Sequence, residues 1–146
     1  MNKAYKEILS LMNEYCYSID KGDVQGFAEL FANGSFGVLG SDDGIMTGKD
    51  EVLAYLSRVI MYDGKPNTKH CLTNVQIDID EDAGKATAQS YVTVIQAVPP
   101  DFPLQAIFSG HYYDNFALVE GEWRFRTREI SPDLVGDLSV HLAEAL

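Results

Sequence analysis

The second half of this chain carries strand periodicity and the first third carries helix periodicity. That division constrains the fold more than any other feature. Val75, Ile77 and Ile79 alternate with Gln76, Asp78 and Asp80, the period-2 pattern of a half-buried strand. Glu81–Gly84 has turn chemistry. Lys85 to Val98, rich in Val, Thr, Tyr and Ile, predicts a long strand. Pro99-Pro100-Asp101-Phe102-Pro103 breaks it. Leu104 to Val119 predicts a further strand, and Glu120-Gly121 a tight turn into its hairpin partner, Glu122 to Ile130. Pro132 then permits a short C-terminal helix, expected to run to Leu146.

Near the N-terminus, Ala4, Ile8, Leu11, Met12, Tyr15 and Ile19 recur at spacings of three and four and form one apolar stripe. This helix should stop near Ile19–Lys21. Gly22 suits a left-handed C-cap and Asp23 the N-cap of a second helix, which carries Val24, Phe27, Leu30 and Phe31 and ends at Asn33-Gly34. Phe36 to Leu39 reads as a short strand, followed by a turn over Gly40–Gly44. Thr47-Gly48-Lys49-Asp50 has the form of a capping box, with Thr47 as N-cap of a third helix bearing Val52, Leu53, Leu56, Val59 and Ile60. Tyr62 to Thr68 reads as a loop. Helices first and strands later define an α+β fold, with the helices covering one face of a bent antiparallel sheet. A strongly curved sheet capped by helices encloses an apolar pocket, the kind of concavity that small molecules occupy.

The chain has 146 residues, enough to bury a sizeable core without disulfides or metal. Its formal net charge of −11 disfavours nucleic acid and anionic membranes as partners. The two cysteines, Cys16 and Cys71, form no framework and no zinc motif. No signal-peptide core and no apolar run of membrane-spanning length is present, so the expected location is the cytoplasm. Three scattered histidines lack metal-binding spacing, and there is no nucleophile elbow, phosphate-binding loop or dinucleotide fingerprint. Neither a metal nor a cofactor is expected.

Several short stretches, taken in order, carry a resemblance. They are Tyr15-Cys-Tyr-Ser-Ile-Asp20-Lys-Gly-Asp23 followed by Phe27 and Leu30-Phe31; Thr68-Lys-His70-Cys-Leu-Thr-Asn74; Lys85-Ala-Thr-Ala88; Gly110-His-Tyr112-Tyr-Asp114; and Gly121-Glu-Trp123-Arg-Phe-Arg-Thr-Arg128. From about Ile8 to Arg128 the chain resembles the SnoaL-like branch of the NTF2-like superfamily. The resemblance implies one domain over residues 1–146, a cone-shaped curved antiparallel sheet with N-terminal helices enclosing an apolar pocket, and a homodimer. The motifs come closest to scytalone dehydratase, hexachlorocyclohexane dehydrochlorinase and bile-acid 7α-dehydratase. These share an Asp at the end of the first helix and a His opening a sheet strand, matched here by Asp20 and His70. The bile-acid enzyme also has a Tyr five residues before its Asp, where Tyr15 stands. The pairing of Asp20 with His70 is what the resemblance implies.

Chemistry gives these residues roles. An imidazole takes or gives a proton near neutral pH, and a carboxylate on one ring nitrogen fixes its tautomer. On this reading His70 is general base or acid, Asp20 orients it, and Tyr15, on the apolar stripe, donates to a substrate oxygen. The structural alternatives are a backbone-bonded strand histidine, a turn aspartate and a core tyrosine. Asn74, Tyr112 and Arg128 are candidate substrate-binding positions. Gly110, Tyr112 and Asp114 share one strand face and His111, Tyr113 and Asn115 the other, and the pattern leaves open which face lines the pocket. His111 and His141 are read as surface or interface residues.

The expected activity is a cofactor-independent lyase or isomerase acting on a small apolar, cyclic, oxygenated molecule by proton abstraction. The alternatives are a polyketide cyclase or epoxide hydrolase of the same fold, and a non-catalytic ligand-binding or dimerising module like the small subunit of ring dioxygenases.

Overall fold

The structure is a computed structural model that describes residues 2–41 and 43–144. Helix α1 (Lys3–Lys21) opens on an Asn2 cap that accepts from the Tyr5 backbone N–H at 3.1 Å. It buries Ala4, Ile8, Met12, Tyr15 and Ile19 of the stripe that the spacing predicts, leaves Leu11 half-buried, and buries Cys16 beside them. Gly22 ends it with φ of 79°, and Asp23 caps α2 (Val24–Glu29) by accepting from the Gly26 N–H at 2.9 Å. A Cβ on Gly22 would lie 1.8 Å from the Gly64 carbonyl oxygen, so only glycine lets the 62–67 loop close on the end of α1. That close approach delivers the start of the next long strand to the last turn of the helix.

Strands β1 (Ser35–Val38) and β2 (Ile45–Thr47) form a small hairpin before α3 (Gly48–Leu56). The three-residue β2 carries no sequence pattern strong enough to announce it. The expected capping box differs in detail. Thr47 sits at the N-cap without a side-chain bond, and the reciprocal contact comes from Glu51, whose carboxylate accepts from the Thr47 N–H at 3.2 Å. Four long strands follow: β3 (Thr68–Asp80), β4 (Lys85–Val98), β5 (Phe102–Val119) and β6 (Glu122–Val135). They complete a six-stranded sheet in the order β2-β1-β6-β5-β4-β3, antiparallel apart from the β1–β6 pair.

The expected C-terminal helix is replaced. The strand continues through Pro132 to Val135, and residues 136–144 follow as irregular chain, turns and an isolated bridge at Leu142; residues 145–146 lie outside the described set. The strand can continue because the preceding one is long. Gly110 pairs with Pro132 and Phe108 with Val135 across β5, and a break in register beside Ser109 accommodates the proline. Breaks in register recur between β3 and β4 at Thr73/Gln76, and between β4 and β5 at Val94/Ile95 and Gln96/Val98. Each bends the strands locally, and together they curve the sheet around the helices. The concave face carries Val92, Val94, Ile107, Tyr112, Phe116, Trp123 and Phe125, which join the buried stripe of α1 and Phe27, Phe31 and Phe36 in one core.

Candidate active site

Asp20 occupies the last turn of α1, and its carboxylate reaches the first residues of β3. Thr68 and His70 share one strand face by the period of two. The Thr68 hydroxyl donates to Asp20 Oδ1 at 2.8 Å, the His70 backbone N–H to Oδ2 at 2.8 Å, and His70 Nδ1 meets Oδ1 at 2.7 Å. The two side chains are 12% and 10% exposed, so the pair is shielded but not sealed. Burial alone would raise the Asp20 carboxyl. The hydrogen bond and charge of the His70 ring, the His70 N–H and the Thr68 hydroxyl outweigh it and hold the group below its ordinary value. With an ionised carboxylate on Nδ1, that nitrogen carries the proton and Nε2 is left as the basic nitrogen.

His70 borders a chamber between the helices and the concave sheet. Its walls are largely apolar, drawn from Ile19, Phe27, Phe36, Leu56, Val94 and Ile107 among others, and its polar wall groups are Tyr15, Tyr55, His70, Tyr112 and His141. It holds about 110 Å³ of space open to the centre of a water molecule, room for several waters or one compact ligand. The chamber is therefore not packed solid.

Tyr15 and Tyr112 both line it, with ring centroids 5.5 Å apart and edge to face. This settles the face left open on β5: Tyr112 and Asp114 are buried, whereas Tyr113 is exposed and stacks on His111 at 4.2 Å on the outer surface. Burial pushes both phenols well above their ordinary ionisation range, against the opposing field of Arg128. Both therefore stay protonated as hydrogen-bond donors.

Arg128 is fully buried and does not line the chamber. Its Nε and Nη2 donate to the two oxygens of Asp114 at 2.7 and 2.8 Å. Its guanidinium lies 3.9 Å from the Tyr112 ring centroid and 4.3 Å from that of Tyr15. Arg128 thus supports the two tyrosines from the protein side, and its third nitrogen, Nη1, is buried without a hydrogen-bond partner among the described residues. Asn74 is displaced from the site altogether. It is exposed and sits at φ of 55° in the irregularity between Thr73 and Gln76. Asparagine tolerates that left-handed conformation, which accounts for the residue type without a ligand.

His141 departs from expectation in the other direction. It borders the chamber instead of the outer surface. Asp114, Tyr55 and His141 are the site residues that sequence reasoning missed. Counting back from Glu120-Gly121 places Asp114 opposite Thr127, and the irregularity between Asn115 and Phe116 moves its partner to Arg128. A regular hairpin count therefore conceals the ion pair. Among the described residues, no group of three or more His, Cys, Asp or Glu side chains is placed to hold a metal ion, and no helix is long and apolar enough to cross a membrane.

A curved sheet capped by N-terminal helices is the cystatin-like fold, shared with solved structures described as cystatin-like and NTF2-like. The chain belongs to the SnoaL-like domain family, whose pattern matches residues 2–129. No curated protein matches it. Solved structures similar to it include a protein of unknown function with a cystatin-like fold from Nostoc punctiforme, at 25% identity over 94% of this chain and 98% of that one, with a TM-score of 0.74. A scytalone dehydratase candidate from Novosphingobium aromaticivorans is 23% identical over 92% of this chain and 87% of that one, with a TM-score of 0.72. ActVI-ORFA from Streptomyces coelicolor is 22% identical over 90% and 98%, with a TM-score of 0.71. At these identities the likeness speaks for the fold.

Proposed function

We propose that this protein is a cofactor-independent lyase of the dehydratase kind, acting on a small, largely apolar, cyclic molecule that carries a carbonyl and a hydroxyl on the carbon β to it. The observation that carries the reading is the 2.7 Å contact of Asp20 with His70 Nδ1 at the wall of an apolar chamber. His70 Nε2 removes the proton from the carbon between the two functional groups. Asp20 stabilises the imidazolium that forms. The electron pair moves toward the carbonyl oxygen, and the phenol of Tyr15 or Tyr112 donates a hydrogen bond to the developing enolate. The hydroxyl then leaves from the β carbon as water, taking back the proton held on His70 Nε2, which returns the imidazole to its neutral form as the electron pair closes a conjugated double bond. The apolar walls strengthen each of these electrostatic contacts by excluding bulk water.

The test is turnover of a panel of cyclic β-hydroxyketones, beginning with β-hydroxycyclohexanone, followed by the ultraviolet absorbance of the conjugated enone. The reading expects water loss catalysed by the native chain and abolished in His70→Ala. An inert panel, or undiminished turnover in His70→Ala, rejects it.

A further inference from the structure

His141 stands on the segment that follows β6. Although close to the chain end, this segment is tied down along its length. The Ile60 N–H donates to the His141 carbonyl at 2.8 Å, and the Ala143 N–H to the Arg58 carbonyl at 2.9 Å. The Val140 carbonyl accepts from the Tyr62 hydroxyl and from Gln96 Nε2, the latter at 3.4 Å. Val59 and Leu142 add a bridge. The segment closes one side of the chamber with Leu138, His141 and Leu142. An imidazole held this firmly has a fixed place relative to whatever occupies the space.

The polar inventory of that imidazole is incomplete. Its Nδ1 is buried and has no hydrogen-bond partner among the described residues. Buried polar atoms are normally satisfied, so an unpaired one beside a ligand-sized space implies a partner that enters with the occupant. From this arrangement we propose that His141 is a second binding imidazole of the chamber, donating or accepting a hydrogen bond at a polar group of the bound molecule. The proposal rests on the reading of the chamber as the site of a small oxygenated apolar compound.

His141 and His70 do different work. Burial, with the neighbouring His70 adding to it and Asp20 opposing, brings the His141 pKa down to about 4. The ring is therefore neutral at neutral pH and offers one donor and one acceptor. Among the described residues no carboxylate hydrogen-bonds to its ring, whereas His70 has Asp20 on Nδ1. His141 thus holds and polarises the substrate, and proton transfer stays with His70. Two polar walls on separate segments would also select against a plain hydrocarbon of the same shape, since its binding would offer no partner to His70 Nε2 or to His141 Nδ1.

The test uses the full chain with isotope-labelled histidines, titrated with phenol and separately with toluene, a probe of nearly the same shape without the hydroxyl. The ring-nitrogen signals of His141 should move with phenol and stay in place with toluene. His141→Phe should weaken phenol about fivefold, the worth of one hydrogen bond, and leave toluene at least as tightly bound. His141→Gln, which keeps a donor and an acceptor, should recover part of the loss. Three results overturn the proposal: His141 signals unmoved by bound phenol, parental phenol affinity in His141→Phe, or exclusion of both probes from the chamber. Neither probe reacts, so the outcome is separable from turnover. An inert chain whose His141 responds to phenol would reject the lyase reading and leave this inference standing.

Discussion

The Asp20 carboxylate holds His70 at two places at once, through the ring Nδ1 at 2.7 Å and the backbone N–H at 2.8 Å. The first contact sets the tautomer. The second fixes the strand from which the ring projects, and Thr68 adds a third bond to the same carboxylate. One residue at the end of α1 therefore positions a residue fifty places later in the chain.

Replacing Asp20 by Asn keeps one acceptor and loses the charge. Three donors then compete for a single oxygen, and the imidazolium formed on proton abstraction loses its counter-ion. Turnover of any substrate should fall about 10²–10⁴-fold, the range of a general acid–base contribution. The fold should survive with about 1–3 kcal/mol less stability. Steady-state kinetics and urea denaturation check the two parts separately.

The Asp114–Arg128 pair supports both tyrosines from below. Asp114→Ala should cost about 3–5 kcal/mol, because it strands a fully buried guanidinium. The double variant Asp114→Leu with Arg128→Met should be far closer to the parent in stability. It should nevertheless bind ligands differently, since the rings of Tyr15 and Tyr112 lose the cation they rest on. Denaturation of the singles and the double, read as a cycle, tests this.

Stability should depend on pH in two stages. The His141 pKa is lowered on folding, from an ordinary 6.5 to about 4, so its contribution is present above 6.5 and is lost as the pH falls toward about 4. The Asp20 pKa is also lowered on folding, so its contribution is present above 3.8 and is lost at lower pH still. Urea midpoints measured across this range should decline first through the His141 stage. His141→Phe should flatten that stage and leave the Asp20 stage in place.

Gly22→Ala tests the joint that brings Asp20 to His70. The positive φ costs an alanine about 1–2 kcal/mol by itself. Its Cβ would also meet the Gly64 carbonyl oxygen at 1.8 Å, so the 62–67 loop must move. Turnover should fall more than stability alone explains, because Thr68 and His70 follow that loop directly. Activity per folded molecule, with the folded fraction taken from circular dichroism, is the measure.

Much of this architecture is legible in the residues. The α1 stripe, the Gly22–Asp23 joint and the long strands follow from periodicity and turn chemistry, which are local. What escaped is set by register and by partners distant in sequence. Pro132 looks like a helix start, yet it pairs with Gly110 in a sheet. Asn74 looks like a site residue by motif, and its backbone angle gives it a local job. Arg128 and Asp114 meet through a one-residue slip that no hairpin count foresees. His141 carries no motif, and its place at the chamber comes from contacts with residues 58–62 and with Gln96. The pairing of Asp20 with His70 was available through family resemblance, since no spacing rule joins a helix end to a strand fifty residues on.

The central claim is that His70, held by Asp20, takes a proton from carbon inside the chamber. Deuterium exchange into a cyclic ketone with no leaving group measures that step alone. In heavy water, with cyclohexanone followed by proton magnetic resonance, the native chain should accelerate loss of the signal next to the carbonyl. His70→Ala, folded by circular dichroism, should leave the rate at that of buffer. Equal acceleration by the two chains would contradict the account.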